Sequence, residues 1–165
     1  MGTCRPDLRR YLKKGDYLFV VSGSAKGIAQ YVIGGFEVDD KIDQMIAYDA
    51  FPENRLHWEG EQRYGNIIVD RDGRHDQRDH HDKLDRRISN YLIGKPPVVL
   101  ETPAEIALGR ERSLVLLSRM FDRPYAQRMS EVIGRNRKLT DMQVGTLLDA
   151  LQSLKAEATH VPPRR

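Results

Sequence analysis

Apolar positions along the chain change their spacing several times, and each change predicts an element. Leu8, Tyr11 and Leu12 recur at i, i+3 and i+4, which predicts a short helix over residues 6–13. Pro6 falls in its first turn, where a missing N–H costs nothing. Lys14-Gly15-Asp16 breaks the pattern as a turn. Tyr17 to Val21 is a continuous apolar run rich in β-forming residues, which predicts a buried strand. A small-residue loop follows, Ser22-Gly23-Ser24-Ala25-Lys26-Gly27, and residues 28–38 return as a second β-rich segment antiparallel to the first. Gly34-Gly35 inside it predicts a bulge or sharp bend, as barrel corners need. Residues 41–50 read as helical, with Ile42, Met45 and Ile46 on one face. Short strands are expected at 66–69, 91–94 and 98–100, the last two joined by the stiff link Lys95-Pro96-Pro97.

Helices close the chain. Thr102-Pro103-Ala104-Glu105 is a capping box with proline at the first helical position, and the helix it opens is expected to break near Gly109. Leu114, Leu117 and Phe121 then share a face. Thr140-Asp141-Met142-Gln143 is a second capping box, followed at helical spacing by Val144, Leu147, Leu148, Leu151 and Leu154. Strands first and helices last argue for an α+β fold, not for alternating βαβ units. The expected organisation is one domain: a β-barrel-like portion over 1–101, helices packed on it over 102–157, and a flexible tail over 158–165.

Composition narrows the setting. The 165 residues are long enough to bury a core without disulfides or structural metal. One cysteine, Cys4, excludes an internal disulfide and any Cys-rich zinc site, so a reducing compartment is the simplest setting. Residues 1–14 carry no apolar leader core, and no run reaches the length of a bilayer span. The expectation is a cytoplasmic protein with no membrane partner. The net charge of +3 permits nucleic-acid binding without demanding it. Two basic clusters stand out: Arg5, Arg9, Arg10, Lys13 and Lys14 at the start, and Arg119, Arg123, Arg128, Arg135, Arg137 and Lys138 near the end. They suit a phosphate backbone, or simply solubility.

Candidate chemistry is modest. Between Asp70 and Arg87 six basic and six acidic residues alternate, with His75, His80 and His81 among them. A solvated charged connection is the plain reading. The sharper one is a divalent metal held by histidines and aspartates of segment 70–82, although no zinc-site spacing is present. Cys4 has no evident base nearby. The Ser22-Gly23-Ser24 loop offers backbone amides to a phosphate or base edge but lacks the P-loop pattern, and a hairpin loop is the alternative. Trp58, the only tryptophan, suits either stacking on an unpaired base or a place in the core. No cofactor is implied, and no motif is strong enough to class the chain as an enzyme.

The opening stretch, Cys4-Arg5-Pro6-Asp7-Leu8-Arg9-Arg10 with Lys14-Gly15-Asp16 and the strand from Tyr17 to Val21, resembles the start of the nucleotide modification associated domains. Those families are found near DNA base-modification systems. The Lys-Gly-Asp turn feeding a strand, with a second strand after it, is similar to the wider PUA-like group that includes the ASCH, EVE and YTH domains. The resemblance implies a small PUA-like β-barrel with flanking helices and a pocket for a base or nucleotide. It places Arg5, Arg9 and the loop Ser22, Gly23, Ser24 near that pocket. An aromatic cage of the YTH kind is not evident, and the Asp/His run has no place in the barrel pattern. The expected function is recognition of a modified nucleobase or nucleotide, with Trp58 or Tyr31 stacking and arginines taking the phosphates. The alternative is a metal-dependent enzyme of nucleotide or DNA modification using segment 70–82.

Overall fold

The computed structural model describes residues 6–75, 78 and 90–160, with side chains from Leu8 onward. Among them are five α-helices: α1 (Pro6–Tyr11), α2 (Gln44–Ala50), α3 (Pro103–Met120), α4 (Met129–Ile133) and α5 (Asp141–Thr159). The strands are β1 (Tyr17–Val21), β2 (Val32–Ile42), β3 (His57–Glu59), β4 (Gln62–Tyr64), β5 (Tyr91–Gly94) and β6 (Val98–Val99). The fold is α+β with antiparallel pairing. The described strands run as the open path β1-β2-β5, with β6 beside β2 and β3-β4 as a separate pair, so they do not close into a barrel. The chain divides into two compact units, one made of residues 1–16 and 37–95, the other of 17–36 and 96–165. The long strand β2 contributes to both.

In the second unit, the start of β2 pairs with β6, Gly34 opposite Val99 and Gly35 opposite Val98. The two glycines are explained by close approach. A Cβ on Gly34 would run into the Val98 backbone, and one on Gly35 into the Phe19 ring and, at 3.0 Å, the Leu18 carbonyl. The expected bulge is not there; the pairing shifts between Val38 and Asp40 instead. Helices α3 and α5 begin at the predicted capping boxes on Thr102 and Thr140. Helix α3 runs unbroken through Gly109, because that glycine makes room for Tyr31 and Leu100: a Cβ there would sit 2.7 Å from Leu100 Cδ1. Helix α5 continues to Thr159, with Ala158 buried, beyond the expected start of the tail. The core joins Tyr31, Val32, Leu100, Leu117, Met129, Val132, Leu147, Leu151 and Leu154. Polar ties finish it. Ser113 Oγ accepts from Val32 N at 3.0 Å. Lys155 Nζ reaches Val99 O at 2.6 Å and Glu105 Oε2 at 3.3 Å. Arg112 makes a two-pronged pair with Glu157, both bonds at 2.6 Å.

In the first unit, the end of β2 pairs antiparallel with β5, Lys41 opposite Leu92 and Ile42 opposite Tyr91. Lys41 Nζ closes the end of α1 by donating to the carbonyls of Arg10 and Leu12 at 3.2 and 3.0 Å. Helix α2 starts three residues later than expected, at Gln44, behind the cap Asp43. Its fully buried residues are Gln44 and Ala47; of the predicted apolar face, Ile42 and Met45 pack against the small core of this unit, while Ile46 is exposed. Gln44 is fully buried because its carboxamide oxygen accepts from Ile68 N at 2.9 Å. Residues 66–69 form no strand. They are held by isolated bridges, Arg55 to Ile67 and Val69 to His75, while Ile67, Ile68 and Val69 are buried. A small core of Ala47, Ile67, Val69 and Tyr91 results.

Candidate functional site

The first unit carries a cleft of about 380 Å³ lined by Tyr48, Arg55, Leu56, Ile68, Val69, Asp70, Arg74 and His75. Three loops build it. The end of α2 supplies Tyr48. The turn after it supplies Arg55, whose guanidinium lies 4.0 Å over the Tyr48 ring while its Nε donates to Tyr48 O at 2.9 Å. That double hold fixes both side chains against each other. The third loop, from Asp70 to His75, is organised by one carboxylate. Asp70 Oδ1 accepts from Asp72 N and from Arg74 N, both at 2.8 Å, the local bonding that aspartate favours in turns. Asp70 N in turn donates to Arg74 O at 2.9 Å, and Val69 bridges to His75. Arg74 is exposed, with Asp72 3.4 Å away, a pairing weak enough to yield to a ligand. Guanidinium groups, two planar rings and an apolar floor of Leu56, Ile68 and Val69 thus meet in one concavity. Such a site suits a flat ligand that carries a negative charge.

The ligand-binding residues expected from sequence, where they are described, lie elsewhere. Arg5 and Cys4 lie outside the described residues. Arg9 is in the first unit, on α1, and only 2% exposed. Trp58 is half-buried on the hairpin β3–β4, with the Arg78 guanidinium 4.6 Å over its ring. The other four belong to the second unit. Ser22 closes its loop: the hydroxyl accepts from Tyr31 N at 3.0 Å and the carbonyl from Gln30 Nε2 at 2.7 Å. Gly23 and Ser24 are exposed in that loop. Tyr31 is a core residue, packed against α3 at Gly109. None of the described ones lines the cleft. The Asp/His run comes closest, since Asp70, Arg74 and His75 open it. Of that run, residues 76–77 and 79–89 lie outside the described residues. Among the described residues no three His, Cys, Asp or Glu side chains gather as a metal site.

Tyr48, Arg55 and Leu56 had no signal in the sequence. No period marks a cleft made of loop residues, and an arginine in a turn reads as solvent-facing until a ring is placed beneath it. No helix among the described residues is long and apolar enough to cross a membrane. Comparisons with protein-family models, with curated proteins and with solved structures give no match.

Proposed function

We propose that this chain binds a nucleotide or a modified nucleobase in the cleft of its first unit, in association with DNA base modification. The observation that carries the reading is the meeting of Arg55 and Arg74 with the rings of Tyr48 and His75 around one space of about 380 Å³. Small-molecule pockets span about 300–1,000 Å³, so this one has room for a single nucleotide. Arg74 takes the phosphate, where a planar guanidinium can offer two parallel N–H groups. The rings and the apolar floor hold the base, and the Asp70 carboxylate accepts from an exocyclic amine. The resemblance of the opening stretch to the PUA-like group is the reason for choosing a base-bearing ligand; the chemistry of the cleft does not need a closed barrel. The setting on this reading is the cytoplasm, and no bond is made or broken.

Calorimetric titration with modified and unmodified nucleoside monophosphates tests the proposal. One class of base should bind selectively. Arg74→Ala should weaken it roughly tenfold or more, the worth of a charge-assisted hydrogen bond. Equal affinity in Arg74→Ala, or no binding by any member of the panel, sinks the reading.

A further inference from the structure

We propose that residues 119–138 of the second unit form a binding surface for single-stranded nucleic acid, with Tyr125 stacking on an unpaired base. The first observation is charge. Arg119, Arg123, Arg128, Arg135, Arg137 and Lys138 are all exposed, against only Asp122 and Glu131 in the same stretch. Six cations against two carboxylates leave four positive charges, more than the +3 of the whole chain. Summed over the rest of the chain the charge is close to zero, and this is the larger of the two basic clusters in the sequence.

The second observation is that the fold gathers this charge. Arg137 places its guanidinium 4.3 Å over the Phe121 ring and donates to Val132 O at 2.9 Å. Gln143 Nε2 donates to Met120 O at 3.3 Å. These ties bring the segment after α4 back onto the end of α3, so Arg119 and Arg123 share a neighbourhood with the basic run 135–138. Within the surface, Arg128 pairs with Glu131 at 3.0 Å, which satisfies one of the two acids.

The third observation is Tyr125. It is 90% exposed, the most exposed large hydrophobic among the described residues. Its loop is nonetheless ordered by bonds from its backbone amides: Ala126 N donates to Arg123 O at 3.1 Å, and Gln127 N to the Glu131 side chain, Oε2, at 2.7 Å. A ring held out in water gains the fold nothing by burial. Set among arginines, it has the make-up of a single-strand platform, in which cations follow the phosphates and a ring stacks on a base. Paired bases are not open to such stacking, which selects single strands over duplex. The surface is independent of the nucleotide cleft, which belongs to the other unit, and either can fail without the other.

Fluorescence anisotropy of the full chain with a labelled oligothymidylate of about a dozen nucleotides is the test. Binding should fall roughly twentyfold between about 50 and 200 mM salt, as for contact with a few phosphates. Tyr125→Ala should weaken it by about tenfold, and Tyr125→Phe should restore it, because the ring and not the hydroxyl stacks. Joint reversal of Arg119→Glu and Arg123→Glu should abolish binding. Should that double variant lose its fold, the Tyr125 pair still decides, since the ring is outside the core. Unchanged affinity in Tyr125→Ala, equal affinity for duplex, or preference for vesicles of anionic lipid over the oligonucleotide would each overturn the proposal.

Discussion

The second unit gathers nine buried apolar side chains into one core, drawn from β2, the stretch ending at Leu100, and all three helices of that unit. Among the described residues, the first unit gathers four. Beside that smaller cluster the first unit is tied by side chains bonded to backbone: Gln44 to Ile68, Arg55 to Tyr48, Asp70 to the turn that follows it, Lys41 to the end of α1. The two kinds of cohesion have different uses. Packing of helices makes a stable mass with few openings. Loops pinned by polar groups leave concave space between them, and binding residues are found on such loops when something firm positions them. The cleft lies in the unit whose described residues form the smaller core.

Two substitutions test this contrast through stability. The largest effect is expected from Leu151→Ala in the apolar core, which is 2% exposed. It should cost about 2–5 kcal/mol in urea unfolding, through lost burial and the cavity left behind. Gln44→Ala should cost less, about 1–3 kcal/mol, by leaving the buried Ile68 N–H without its acceptor. Hydrogen exchange at Ile68 should quicken in that variant while Leu151 stays protected. If Gln44→Ala proves as damaging as Leu151→Ala, the two units do not differ as described.

The smallest effects are expected from titration, and they should appear at opposite ends of the pH scale. Glu105 has its pKa lowered, first by the hydrogen bond from Glu101 N, then by those from Thr102 N and Lys155, against the opposing effect of burial. A lowered pKa contributes stability that is present above the ordinary value, 4.5, and is lost as pH falls through the folded one. Tyr91 has its pKa raised, mainly by burial and then by Glu53. Its contribution is present below 10.0 and is lost as pH rises beyond that. Melting temperature against pH should therefore fall in acid through the second unit and in alkali through the first. Glu105→Gln should flatten the acid limb only, and Tyr91→Phe the alkaline limb only. A single limb shared by both variants would erase the distinction.

The same contrast explains what could be read from the sequence. Helices α3 and α5 were legible because a capping box and an apolar stripe are both local, and β1 and β5 because short apolar runs stop at polar residues or glycine. Strand β2 was legible only in its apolar part. It continues through Asp39 and Asp40, beyond the expected end at residue 38, and through Lys41, expected as the first residue of a helix, because β5 supplies the partner that keeps the segment extended. Gln44 was unreadable for a related reason: its burial answers an Ile68 N–H that is left without a strand partner only in this fold. The cleft was half visible. Asp70, Arg74 and His75 stood out as members of a charge run, whereas Tyr48 and Arg55 acquire meaning only through a contact between the end of α2 and the turn that follows it. Tyr31 shows the limit from the other side, since an aromatic at the start of a strand is equally fit to stack on a base or to fill a core.

Glu37 and Lys95 are joined twice, by Lys95 N to Glu37 O at 2.9 Å and by Lys95 Nζ to Glu37 Oε1 at 2.6 Å. Everything between them is thus an excursion that leaves and returns at one doorway. The entropy of closing such a loop rises only with the logarithm of its length, so doubling it adds about 0.6 kcal/mol. With its gate already fastened, the excursion is free to lengthen or shorten at little thermodynamic penalty. A lineage could reshape the cleft by insertion and deletion inside these bounds while the residues outside them kept their sequence.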